Sequence, residues 1–369
     1  MNIKSRKILA FMCMVTTVLL ITACKADNQS KYNATYDFAV IETTGEENES
    51  IVSYYDQELN RINQQVLPYG GLTDSFTPAI ISKDTLYASP EGLENGEGLC
   101  LSLGVDLNTG KVREFQHPKR YEGEKNQAVD KKRIFVNTNL NGNSFLSYYD
   151  TETEQSKDVT LKETVLGHMA VDTKYLYAFG EDNKHLTAEG DPCTQIYVFD
   201  KETLKKVKQK DLGAVYSMVF SLVYDNQLYF PAYDEIKETS ALCRYDAATG
   251  ALKMINFPKQ QSDFSNILVN RDKLYIAHGS VVTGQGKVLT IYDPKNNKMK
   301  EAEFSHNLSQ IVIKHDNLYA LDNDPNTETA KLYKYKMSND KFSLIGSADV
   351  YTKKGSKNPY FYIGSFFVK

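Results

Sequence analysis

Apolar residues fall in short runs along this chain, separated by polar clusters rich in Asp, Asn and Gly. The stretch from Asp272 to Phe304, DKLYIAHGSVVTGQGKVLTIYDPKNNKMKEAEF, shows the unit most clearly. A Leu-Tyr run leads into a loop, and a second run ends in Ile-Tyr-Asp. A tight polar turn follows, then a charged alternating segment. Period-two patterning bounded by turn residues predicts three consecutive β-strands.

The unit recurs. The Asp that closes the third strand appears as Asp56, Asp106, Asp150, Asp200, Asp246 and Asp293, in steps of 50, 44, 50, 46 and 47 residues, with Lys336 at the seventh place. The aromatic of the Leu-Tyr strand keeps a similar spacing through Phe38, Tyr87, Phe135, Tyr177, Tyr229, Tyr275 and Tyr319. Two markers holding one period imply internal repetition, at a length that suits propeller blades. In DLNTGK and DAATGA the carboxylates of Asp106 and Asp246 suit the backbone N–H groups of the turn, with Gly110 and Gly250 supplying positive φ. A short apolar run before each Leu-Tyr strand (PAIISKD, HMAVDTK, FSLVYDN, NILVNRD, QIVIKHD) supplies an inner strand and makes four per blade. Leu59, Ile62 and Val66 have helical spacing, but the register of the repeat predicts a strand there.

The expected fold is therefore all-β: a seven-bladed β-propeller of four-stranded antiparallel blades. The first unit, from YDFAVIETT onward, lacks an inner strand, and the C-terminal NPYFYIGSFFVK is a strand without a unit of its own. Pairing residues 358–369 with the blade formed by residues 36–70 closes the ring and leaves no open inner edge. The turns and strands of VDLNTGKVREF and YDAATGALKMI resemble the YVTN and PQQ-like repeat families, a resemblance that covers most of the chain and implies architecture rather than activity. Quinone-binding members carry a tryptophan in each repeat; this chain has none, so no such cofactor is carried over.

Residues 1–23 read as a signal peptide: Lys4, Arg6 and Lys7 precede an apolar run from Ile8 to Leu20, too short for a comfortable membrane span. Ile21-Thr22-Ala23-Cys24 resembles the lipobox of bacterial lipoproteins, which implies cleavage before Cys24 and a diacylglyceryl anchor on it. Residues 24–35 then form a lipidated tether and residues 36–369 one propeller domain. The expected location is the extracytoplasmic face of a cell membrane, held there by lipid.

Removing the leader takes the net charge from −4 to −7, because it carries three basic and no acidic residues. A mildly acidic surface without a basic stripe argues against nucleic acid as partner. Cys100, Cys193 and Cys243 fall at different offsets in the repeat, so no disulfide is expected among them, and no spacing suggests zinc.

The two ends of such a ring should differ. Connections between blades share one rim with the loops between second and third strands, which include SPEGLENGEG, FGEDNKHLTAEGDP, PAYDEIKETS, GSVVTGQG and LDNDPNTETA. The other rim carries tight turns, His315 in one of them. Long loops on a rigid scaffold are the expected place for binding. His278 and Asp322 hold equivalent positions in neighbouring blades on that rim, and His168 and His306 precede inner strands there. Together they are weak candidates for an acid–base or metal site at the channel mouth. Glu181, Asp182, Asp191, Asp234, Glu235, Asp322 and Asp324 offer oxygen ligands, and Asp322 with Asp324 are weak candidates to hold a divalent metal. Tyr69, Tyr216 and Tyr233 are candidates to stack on a sugar or peptide. No nucleophile elbow, HExxH, P-loop or dinucleotide fingerprint is present. The expectation is a lipid-anchored binding or scaffold protein that presents its long-loop rim to a protein, peptide or glycan of the cell envelope, with no cofactor. The alternative is a propeller enzyme, a metal-assisted lyase or lactone hydrolase, working at the central mouth.

Overall fold

The computed structural model describes residues 35–74, 78–91, 99–118, 125–188, 190–217, 220–259, 261–280, 282–323, 329–352 and 360–369. Cys24, the leader and nearly all of the tether lie outside the described residues, as does Asp324.

The described residues hold 29 strands and no helix. Blade 1 contains β1 (Phe38–Thr43), β2 (Ser50–Tyr55) and β3 (Arg61–Leu67). Blade 2 is β4 (Ile80–Ser82), β5 (Thr85–Ala88), β6 (Leu101–Asp106) and β7 (Val112–Gln116). Blade 3 is β8 (Lys125–Val129), β9 (Arg133–Leu140), β10 (Asn143–Asp150) and β11 (Ser156–Leu161). Blade 4 is β12 (Thr164–Val171), β13 (Tyr175–Asp182), β14 (Gln195–Asp200) and β15 (Lys206–Asp211). In blade 5 the inner position is shared by β16 (Tyr216–Ser217) and β17 (Leu222–Tyr224), followed by β18 (Gln227–Asp234), β19 (Thr239–Tyr245) and β20 (Leu252–Asn256). Blade 6 is β21 (Asn266–Asn270), β22 (Lys273–His278), β23 (Val288–Asp293) and β24 (Lys298–Glu303). Blade 7 is β25 (Gln310–Lys314), β26 (Asn317–Asp322), β27 (Thr329–Ser338) and β28 (Lys341–Thr352).

The last strand, β29 (Tyr362–Val368), pairs antiparallel with β1, from Phe38 opposite Val368 to Thr43 opposite Tyr362. It takes the inner place in blade 1, so the seven antiparallel blades close into the expected propeller. The helical spacing of Leu59, Ile62 and Val66 is overridden by cross-strand pairing: β3 lies antiparallel on β2.

Burial explains the order of strands within a blade. The middle strands are covered on both faces by neighbouring blades, so β1, β14 and β22 are almost wholly buried. Outer strands such as β15 and β24 are mostly charged, and their residues are exposed or half-buried. The repeat aromatics Phe38, Phe135, Tyr177, Tyr229, Tyr275 and Tyr319 are buried between blades, while Tyr87 is half-buried. At roughly 1.5–3 kcal/mol per buried large apolar side chain, these interblade layers dominate cohesion.

The closing aspartates act as turn caps. The Asp106 carboxylate accepts the N–H groups of Asn108 and Thr109, and Asp246 accepts those of Ala248 and Thr249. Gly110 and Gly250 follow at φ 68° and 77°. At the closing seam the Lys334 ammonium of blade 7 and the Tyr319 hydroxyl both donate to Asp37 Oδ2 beside blade 1, at 2.8 and 2.7 Å. No disulfide joins Cys100, Cys193 or Cys243.

One sequence expectation about the rims fails. PAYDEIKETS was expected as a long loop, but β18 and β19 run through it and pair as far as Asp234 opposite Thr239, leaving a four-residue turn, 235–238. Asp234 closes that turn by accepting the N–H groups of Ile236 and Lys237.

Candidate binding site at the tight-turn end of the ring

The histidines singled out in the sequence lie towards the long-loop end, each enclosed by its own partners. His278 ends β22 and is only 2% exposed. Its ring sits against Phe257 and Phe264, with centroids at 4.8 and 5.4 Å, and its Nε2 lies 2.7 Å from Thr290 Oγ1. Burial pushes its pKa down to about 4. His306 is also buried, and its ring stacks on Tyr333 at 3.7 Å. Its Nδ1 donates to the Asn307 carbonyl at 2.7 Å, which leaves Nε2 to accept from the Tyr335 hydroxyl at 2.7 Å. Burial lowers its pKa too, against the pull of that carbonyl.

His168 stands within β12, at the bulge between Leu166 and Met169, not ahead of the strand as the sequence suggested. Its Nε2 accepts the Ser221 N–H at 3.0 Å, and burial pushes its pKa down to about 4. Thus the three rings pack against separate neighbours, His278 and His306 buried and His168 half-buried, and Asp322 accepts from Asn307 Nδ2 at 3.0 Å. Among the described residues no group of three or more His, Cys, Asp or Glu side chains is placed to hold a metal ion. His315 sits in the tight turn between β25 and β26, at φ 53°.

The acidic loop residues divide in two. Asp182 is buried and accepts the N–H groups of Lys184 and His185, the His185 ring, the Tyr197 hydroxyl and Gln209. Burial opposes its charge, but these donors outweigh it and hold the carboxyl far below its usual range. Asp234 is likewise buried, with its pKa lowered by the N–H groups and ammonium of its turn despite burial. Glu181, Asp191 and Glu235 are exposed. Of the tyrosines, Tyr69 donates to Glu114, Tyr216 reaches Met254 Sδ at 4.0 Å, and Tyr233 is half-buried.

A concavity lies at the other end of the ring, among the tight turns of blades 2 to 5. It encloses about 770 Å³. Its wall includes Ser82, the Asp130–Arg133 turn, Asp172 and Thr173, Lys201 and Glu202, and Asp225 with Asn226. Two ionic ties cross the seam between blades 3 and 4 at these turns, Lys201–Asp130 with both groups largely buried and Arg133–Glu202 with the carboxylate exposed. Arg133 opens β9 directly opposite Asp150, which closes β10. The guanidinium lies 3.5 Å from Asp150 through Nε and makes a two-pronged bond to Glu202 of blade 4, with Nη1 to Oε1 at 2.7 Å. Burial opposes the charge on Arg133, but Glu202 outweighs it and raises the pKa.

Lys201 of blade 4 reaches back to Asp130 of blade 3 at 2.7 Å and to the Asp172 carbonyl at 2.9 Å. Both charged groups of that pair are 11% exposed. Burial of Asp130 is outweighed by Lys201 and two turn N–H groups, so its pKa is lowered. Asp172 accepts from Lys174 and Tyr175 N–H groups and from the Tyr177 hydroxyl at 2.7 Å.

Other charges in the same cavity are left over. Among the described residues neither Lys131 nor Lys132 has an ion-pair partner, and neither has Asp225. Lys131 and Asp225 are exposed and Lys132 is half-buried. Asp225 and Asn226 form a two-residue turn with φ 50° and 57°, the geometry of a type I′ hairpin. In the sequence, Asp-Lys-Lys and Asp-Asn read only as turn closers; nothing there says that these turns share one hollow.

No protein-family model matches the chain, and no curated protein matches it. Among solved structures, it is similar to an acylaminoacyl peptidase in complex with Z-Gly-Gly-Phe-chloromethyl ketone, at TM-score 0.51 and 13% identity over 73% of this chain. The chain spans 45% of the length of that peptidase chain. A second similarity is to a chain of a nidogen/laminin complex, at TM-score 0.47 and 8% identity, covering 90% of this chain and 98% of that one. At such identities the first likeness speaks to fold alone.

Proposed function

We propose that this chain is a lipid-anchored, extracytoplasmic binding protein whose ligand sits in the tight-turn cavity. The observation that carries the reading is the 770 Å³ hollow itself, walled by turns from four blades and braced by buried ion pairs. Its size is that of a small-molecule site, and a braced wall loses little conformational freedom on binding. The histidines that would have served an enzyme at the opposite mouth are committed to core contacts, which favours binding over catalysis. The anchor rests on the charged start, short apolar core and Ile-Thr-Ala-Cys ending of residues 1–24.

Two experiments test the reading. Metabolites and peptides from cell-envelope extracts are screened by thermal shift against the protein and against a Lys131→Gln/Lys132→Gln/Asp225→Asn variant. A stabilising compound that loses its effect on the variant is expected; one that shifts both equally places the site elsewhere. Cys24→Ala should move the protein from the membrane to the soluble fraction or leave it unprocessed, and an unmodified mature N-terminus beyond Cys24 by mass spectrometry would overturn the anchor.

A further inference from the structure

The charge left over in the cavity has a direction. Of its acidic and basic wall residues, Asp130 is matched by Lys201, and Glu202 by Arg133, which also faces Asp150. Asp172, on blade 4, accepts two N–H groups and a tyrosine hydroxyl. Glu152, exposed in the turn after β10 on the same blade as Lys132, also lines the hollow and has no ion-pair partner among the described residues, so the unpaired charge of blade 3 is two lysines less one carboxylate, +1. The remaining charges stand on different blades. Lys131 and Lys132 lie on the first turn of blade 3, and Asp225 on the first turn of blade 5, with blade 4 between them. A wall of net positive charge and an anionic turn therefore line one space of about 770 Å³. The lining has no aromatic ring to act as a stacking platform for a sugar or base, and only Val171 and Val223 offer larger apolar contact.

We infer that the cavity selects a small zwitterion, of the size of a short peptide with both ends free, its carboxylate at Lys131 and Lys132 and its ammonium at Asp225. This deepens the binding reading of the preceding subsection and rests on it. Each end of the ligand meets a charge that the protein has left without an ion-pair partner, so binding compensates both without breaking the ties that brace the wall. A ligand carrying only one charge satisfies one wall and leaves the other as it was.

The test uses free-ended trialanine, its N-acetyl form and its C-terminal amide, with binding to the full-length folded protein measured by calorimetry. Blocking either end should weaken binding about tenfold, the scale of one partly solvated charged hydrogen bond. The discriminating readout is a cycle between ligand end and residue. In Asp225→Asn, which keeps a residue tolerant of positive φ, N-acetylation should no longer matter while amidation still does. In Lys131→Gln/Lys132→Gln the reverse should hold.

Equal affinity for all three peptides, no binding of any, or penalties that persist unchanged in the variants would each overturn the zwitterion assignment. The thermal-shift screen separates this from failure of the site itself. A neutral or singly charged envelope compound that binds the parent but not the triple variant keeps the cavity as a site and removes only the zwitterion.

Discussion

The two ends of the ring were built by different means. The long-loop end gathers interblade connections and extended loops, yet its imidazoles at His278 and His306 are buried against neighbours such as Thr290 and Tyr335. The tight-turn end has short hairpins, yet it holds a hollow of about 770 Å³. The difference teaches that loop length measures exposed chain rather than concavity. A concave wall persists where the turns that line it are tied to one another. Here Arg133 and Lys201 provide that bracing by crossing the seam between blades 3 and 4 in opposite directions.

Opening the ring should abolish both ends at once. Deletion of residues 360–369 removes β29, with Phe366 and Val368 buried in the closing seam, and uncovers the backbone edge of β1. Loss of a single cooperative unfolding transition and a tendency to aggregate are expected. A truncated protein that melts like its parent would show that β29 is dispensable.

The next effect is confined to the tight-turn end. Lys201→Met leaves the Asp130 carboxylate 11% exposed and without its ammonium. A loss of about 3–5 kcal/mol in urea unfolding is expected, the usual consequence of stranding one member of a buried pair. Adding Asp130→Asn should return much of it. If Lys201→Met costs less than about 1 kcal/mol, the level of an exposed pair, the ionic brace is not what holds the wall.

Acid separates the buried imidazoles from the carboxylates by pH window. His278 is held neutral with a pKa of about 4, against 6.5 for an ordinary histidine. Above that upper value neither folded nor unfolded chain binds the proton, and the residue carries no penalty. As pH falls towards about 4 the unfolded chain takes up a proton that the folded one refuses, so stability declines across that interval, by about 2–3 kcal/mol for this residue. His168, with the same direction of shift, adds to the slope. Asp130 and Asp150 at the other end have lowered pKa values, as do Asp182 and Asp234 at the long-loop end. Their contribution is complete above the unfolded carboxylate value and is lost only as pH falls through the folded one. Urea midpoints measured from neutral pH downward should therefore fall in two stages, and His278→Gln should flatten the first without moving the second. An unchanged first stage would mean that His278 protonates freely in the folded protein.

The smallest expected effect is the most specific. Lys131→Gln/Lys132→Gln, at residues without ion-pair partners among those described, should shift stability by no more than about 0.5 kcal/mol. A larger loss would assign these lysines to the brace rather than to the ligand.

The sequence by itself determined the ring. The spacing of Asp106, Asp150, Asp200, Asp246 and Asp293 and of the Leu-Tyr aromatics is a local pattern, because turn capping and period-two burial act over a few residues. Even the closing partner of β1 could be read, since an unpaired inner strand at one terminus and an incomplete blade at the other leave one economical pairing. Only the tertiary structure decided which polar residues are occupied and which are left over. His278 reads as a loop ligand until Phe257 and Phe264, from the preceding blade-to-blade connection, close over its ring. Lys201 and Lys131 are indistinguishable in a list of lysines; the first is spent on Asp130, 71 residues away, and the second has no ion-pair partner among the described residues. Such assignments depend on distances across seams between blades, and no periodicity along the chain encodes them.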